Sequence, residues 1–154
     1  MAEQVPDARI TTIYRNEEMI GFAKENFARF DQRNQITLLE GDAVDLLEHI
    51  EQRFDLIFMD SAKSKYIVFL PRILELLEVG GVVVLDDIFQ GGDVAKDIME
   101  VRRGQRTIYR GLQNLFNATL NHPDLTASLV PLGDGILMIR KNAETVTLPD
   151  PSSF

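Results

Sequence analysis

Residues 54–66, FDLIFMDSAKSKY, and residues 80–87, GGVVVLDD, decide the fold. FDLIFM is a short run of β-formers, and an acid, Asp60, follows it at once. VVVL is apolar throughout, as a strand covered on both faces should be, and it too ends on acids, Asp86 and Asp87. Between the runs, Tyr66, Ile67, Leu70, Ile73, Leu74 and Leu77 recur at helical spacing, which predicts a helix over about 64–78. Pro71 is expected to kink or divide that helix, and Gly80-Gly81 to end it. Strand, helix and strand in this order make a parallel pair joined by a crossover.

The same alternation extends both ways. Upstream, RITTIY (9–14) and QITLL (35–39) read as strands. The helix over 17–30 between them starts behind an Asn16 cap with Glu17 and Glu18 at its positive end, and 42–50 reads as a short helix. Downstream, a long helix is expected over about 94–121, with a break near Gly104, and His122-Pro123 stops it. Strands 125–132 and 135–141 then turn back on each other at Gly133-Asp134. The expected fold is therefore α/β: one domain over 1–141 with a mostly parallel sheet, helices on both faces, a C-terminal antiparallel hairpin, and a flexible tail over 142–154.

The chain has 154 residues, 45% of them hydrophobic and 26% charged. That is globular, and it excludes a disordered, collagenous or coiled-coil chain. No secretory leader or spanning segment is visible and there is no cysteine, so a cytoplasmic location is expected, with neither disulfide nor thiol chemistry. The net charge is −8, but unevenly spread: residues 101–123 carry Arg102, Arg103, Arg106 and Arg110 and no acid. An acidic protein does not bind nucleic acid non-specifically. The arginine patch is either a solvated helix face or a local dock for a phosphate chain.

In a parallel sheet of this kind ligands bind beyond the C-terminal strand ends. Asp60, Asp86 and Asp87 fall there. Three carboxylates together call for a cation among them, and an all-oxygen set suits Mg²⁺ or Ca²⁺; alternatively each Asp caps the helix that follows. Lys63, three residues past Asp60, is either a surface lysine or a general base toward a hydroxyl. Gly41-Asp42-Ala43 follows the second strand, where glycine allows close backbone approach. His49 and His122 lack partners at ligand spacing and read as structural.

Together, ITTIYRNEEMI, ITLLEGDAVDLL, FDLIFMDSAKSKY, GGVVVLDDIFQGG and PLGDGILMIRK resemble the metal-dependent class I S-adenosylmethionine O-methyltransferases of the catechol and caffeoyl-CoA type. Within that family the sequence is most similar to bacterial enzymes that methylate 5-hydroxyuridine in tRNA. The resemblance implies a Rossmann-like class I methyltransferase sheet. It implies that Asp60, Asp86 and Asp87 hold a divalent metal, that Lys63 matches the family's base, and that Tyr14, Gly41, Asp42, Ala43, Asp60 and Tyr66 line the S-adenosylmethionine pocket. It also implies a homodimer acting on tRNA, with Arg102, Arg103, Arg106 and Arg110 on the nucleic acid, or on a catechol-like small molecule.

Three departures qualify this resemblance. The family's first strand and glycine-rich loop, which precede the matched segments, are absent; that strand normally lies between the strands at 9–14 and 54–59. Tyr14 stands where the family carries a ribose-binding acid, and a phenol cannot make the bidentate charged contact. Asp86-Asp87 replaces an Asp-Asn pair. These departures support a second reading, a non-catalytic remnant of the family. A third is a nucleic-acid-binding module built on the arginine patch.

Overall fold

The computed structural model describes residues 2–150. The chain forms two compact units, residues 1–50 and 51–154.

The first unit holds strand β1 (Ile10–Tyr14), helix α1 (Glu17–Phe30), strand β2 (Ile36–Glu40) and helix α2 (Ala43–His49). β1 and β2 run parallel, with Tyr14 opposite Glu40. Asn16 caps α1 as expected, its side chain accepting from the Met19 amide at 3.0 Å. Few residues here are buried, Ala23 and Gln35 among them. Polar contacts do much of the work. The Gln35 side-chain amide donates to the Val5, Pro6 and Ala8 carbonyls, and Asp31 accepts from the Gln35 and Ile36 amides.

The second unit holds strand β3 (Phe54–Met59), a 3₁₀ turn (Lys63–Lys65), helix α3 (Tyr66–Leu76), strand β4 (Leu77–Leu85), helix α4 (Arg106–Thr119) and strands β5 (Leu125–Val130) and β6 (Ile136–Lys141). The sheet order is β3-β4-β6-β5; β3 and β4 are parallel, and β6 is antiparallel to both neighbours. Val83, Leu85, Leu137 and Ile139 point to one face of the sheet and are fully buried, as are Leu70, Leu112 and Leu115 on α3 and α4. The other face is open, with Leu56 45% and Phe58 55% exposed, so helices on both faces are not realised within this unit. Among the described residues, β1 pairs only with β2, and β3 only with β4.

Three expectations about elements are corrected. Helix α3 runs unbroken through Pro71, which sits on its exposed side. It ends at Leu76, not at the glycines, and β4 follows without a loop. The end is held by Lys141 of β6: its buried ammonium donates to the Leu74 and Leu77 carbonyls at 2.8 and 2.9 Å, satisfying the helix terminus from the sheet face that covers it. Gly80-Gly81 instead lie inside β4, where the register slips between Phe54 and Leu56. A Cβ on Gly81 would meet the Glu78 and Asp55 carbonyl oxygens at 2.9 and 3.0 Å.

The long helix over 94–121 shrinks to α4. Gly91 and Gly92 adopt φ 61° and 86°, and residues 90–105 run as 3₁₀ and irregular turns. These turns are pinned to α4 by Tyr109 and Gln113, whose side chains donate to the Lys96 and Val94 carbonyls.

The segment after Lys141, expected as a loose tail, is attached at three points as far as Thr147. Asn142 bonds Thr126, Glu144 pairs with Arg53, and the His122 ring meets the Thr147 carbonyl. Residues 151–154 of that tail lie outside the described residues.

Candidate active site

The β3–β4 register sets Met59 beside Leu85, so Asp60 and Asp86 leave adjacent strands on one rim. The Asp86 amide donates to the Met59 carbonyl, closing the ladder there. Beneath the rim lies Tyr66, fully buried. Its hydroxyl stands 3.2 Å from both the Met59 and the Asp86 carbonyl oxygens and 3.4 Å from the Ser61 amide. One phenol thus ties the ends of both strands to the start of α3. Burial pushes its pKa up, and the nearby charges of Asp60, Asp86 and Asp87 push it further.

Lys63 comes from the 3₁₀ turn between β3 and α3. Its ammonium donates to Asp87 Oδ2 at 2.9 Å, a pair whose side chains are 25% and 47% exposed. The turn sits tightly on α4, because at Gly111 a Cβ would lie 3.2 Å from Ser64 Cα. Asp86 Oδ1 accepts from the Asp87 amide at 2.8 Å. Asp87 itself holds a left-handed φ of 56°.

The acids do not form the cluster the sequence suggested. Among the described residues, no three acids or histidines form a group that could hold a metal. Asp87 is engaged by Lys63 and Asp86 by a main-chain amide. Oxygen-only donors on one rim still have the chemistry of a hard-cation site. In this arrangement it is Lys63 that pairs with Asp87.

Tyr66, expected at the cofactor pocket, is fully enclosed behind the rim. Arg106, expected on the nucleic acid, is half-buried, and its guanidinium donates to the Val101 and Met99 carbonyls. Arg102, Arg103 and Arg110 are exposed.

Within the first unit, Gly41 follows β2 and its amide donates to the Tyr14 carbonyl at 2.9 Å. Asp42 caps α2 through the Val44 amide, and its other oxygen pairs with Arg15 at 3.0 Å. Ala43 opens that helix. Tyr14, Gly41, Asp42 and Ala43 thus share one end of the β1–β2 pair. Sequence reading missed two partners, Arg15 for Asp42 and Asp87 for Lys63. Both pairs span more than twenty residues, with no local signal to join them.

The sequence model of the O-methyltransferase family matches residues 1–142. A crystal structure of a candidate caffeoyl-CoA O-methyltransferase from Staphylococcus aureus superposes with a TM-score of 0.80 at 32% identity, covering 92% of this chain and 68% of that one. An S-adenosylhomocysteine-bound methyltransferase from Podospora anserina matches with a TM-score of 0.74 at 26% identity, over 88% and 62% of the two chains. In sequence, an O-methyltransferase of Aspergillus thermomutatus is 32% identical over 82% of this chain and 57% of its own length. The fold is the Rossmann-like methyltransferase α/β fold, and the chain belongs to the O-methyltransferase family. It spans little more than half the length of that Aspergillus relative. No helix among the described residues is long and apolar enough to cross a membrane.

Proposed function

We propose that this chain carries the methyl-acceptor side of an S-adenosylmethionine-dependent O-methyltransferase, with Lys63 as the base. The observation that carries the reading is the Lys63–Asp87 pair on the rim beside Asp60 and Asp86, in a chain of this family. S-adenosylmethionine supplies a methyl group on a sulfonium, and a divalent cation held by Asp60, Asp86 and Asp87 would supply charge that lowers a hydroxyl's pKa.

The chain's own residues do the rest. Once its ammonium has passed a proton to solvent, Lys63 Nζ accepts the substrate hydroxyl's proton as that oxygen bonds to the methyl carbon; the carbon–sulfur bond breaks and its electron pair stays on sulfur. Asp87, whose Oδ2 lies 2.9 Å from Nζ, pairs with the resulting ammonium. Tyr14, Gly41, Asp42 and Ala43 are proposed for the adenosine side. Positioning rather than a covalent intermediate supplies the acceleration.

A catechol-like small molecule with neighbouring oxygens is the proposed substrate, in keeping with the caffeoyl-CoA names among the relatives. The second reading, 5-hydroxyuridine in tRNA, rests on exposed Arg102, Arg103 and Arg110. A homodimer and a cytoplasmic location belong to the same proposal.

Calorimetry with S-adenosylhomocysteine and Mg²⁺ is the test. Binding of both, with Mg²⁺ binding lost in Asp60→Ala, supports the reading; an Asp60→Ala variant that binds Mg²⁺ like the parent removes Asp60 from it. Lys63→Ala should lower methyl transfer about a hundredfold or more while leaving S-adenosylhomocysteine affinity unchanged, and equal loss of both counts against a base. No binding of S-adenosylhomocysteine by the full chain favours the non-catalytic remnant.

A further inference from the structure

We infer that Asp134, in the hairpin between β5 and β6, is a positioning residue that latches the loop after β4 and so sets Asp87 on Lys63. The loop carries unfavourable backbone that its few internal bonds, such as the Gly92 amide to the Phe89 carbonyl at 3.0 Å, do not by themselves offset. Asp87, Gln90, Gly91 and Gly92 have φ of 56°, 51°, 61° and 86°. Two of these four are not glycine, and left-handed backbone is unfavourable for them.

Tyr109 and Gln113 hold the loop's far end to α4; its near end, beside the acids, is held by the hairpin. The Ile88 amide donates to the Gly135 carbonyl at 3.1 Å and the Phe89 amide to the Asp134 carbonyl at 2.8 Å. The Asp134 side chain then reaches the Gly91 amide, Oδ1 to nitrogen 2.8 Å, across 43 residues of sequence. The Phe89 ring lies against Gly135 so closely that a Cβ there would stand 2.4 Å from the ring carbons.

Two residues beyond Gly135, β6 pairs Leu137 with Leu85, the last residue of β4. The acidic pair is therefore gripped from both sides, by β4 before it and by the hairpin behind it. An Asp between two glycines is ordinary turn chemistry. Bonding a remote loop through its side chain is not.

The inference rests on the reading of Lys63 and Asp87 as functional, but its test does not need cofactor, metal or turnover. Three variants of the full chain, Asp134→Ala, Asp134→Asn and Asp87→Asn, are compared by amide hydrogen exchange and by the rate at which an amine-acylating reagent modifies Lys63. In Asp134→Ala, Gly91 exchange should rise about fivefold or more, and Lys63 acylation should climb to the Asp87→Asn rate. Asp134→Asn keeps the acceptor oxygen and should behave as wild type in both. If Asp134→Ala unfolds, Asp134→Ser, a good turn residue too short to reach Gly91, takes its place.

Lys63 acylation unchanged in Asp134→Ala but faster in Asp87→Asn would confine Asp134 to the hairpin and overturn the inference. No acceleration in Asp87→Asn would overturn it too, since there would be no pair to position. Failure to bind S-adenosylhomocysteine, with these rates as expected, would refute the proposed function and leave the latch standing.

Discussion

Lys141 is 1% exposed, yet among the described residues its ammonium meets no carboxylate within hydrogen-bonding reach. It is held by two main-chain carbonyls, and their need for a donor explains its burial. Lys141→Met keeps the aliphatic stem and leaves those carbonyls bare. It should cost about 2 kcal/mol, read from urea unfolding. Arg53 and Glu144 are the opposite case. Both are exposed, and Arg53 holds the Glu144 carboxyl below its ordinary pKa. A depressed folded pKa gives an attachment that is present above the ordinary carboxylate range and lost as pH falls through the lowered value. Amide exchange over residues 143–147 should therefore quicken on acidification, and in Glu144→Gln it should be fast at every pH.

Helix α4 is packed by a missing side chain. At Gly111 the backbone of Ser64 approaches so closely that a Cβ would sit 3.2 Å from its Cα and 3.3 Å from its oxygen. Gly111→Ala gains helix propensity, roughly 1 kcal/mol. It also pushes a backbone segment that carries Lys63, at a cost of about 1–3 kcal/mol. The steric term should win, with a net loss of about 1 kcal/mol in urea unfolding and faster acylation of Lys63. Gly104→Ala, with open space around it, should show neither effect.

The two units differ in how they are held. Apolar side chains packed between α3, α4 and one sheet face stabilise the second, whereas the first relies on Gln35, Asp31 and Asn16. Hydrogen exchange should then show weaker protection for β1 and β2 amides than for β4 and β6, because local opening is easier where little apolar surface is buried. The open sheet face gives a matching contrast. Phe58→Lys should change the unfolding free energy of the second unit by less than about 0.5 kcal/mol. Leu85→Ala, on the covered face, should cost about 2–5 kcal/mol.

The sequence by itself determined the element order and the strand ends. Period-two and period-3.6 patterning is local, so β3, the Asn16 cap of α1 and the closing hairpin were all legible in it. It also placed Asp60, Lys63, Asp86 and Asp87 on one rim, since parallel strands carry their C-terminal residues to the same edge. Only the tertiary structure decided where α3 stops, because the cap is Lys141, more than sixty residues away. It alone decided that Asp87 answers Lys63, that Arg106 serves its own main chain, and that Asp134 grips Gly91. Such contacts depend on where distant segments are brought together, and no run of neighbouring residues records that distance.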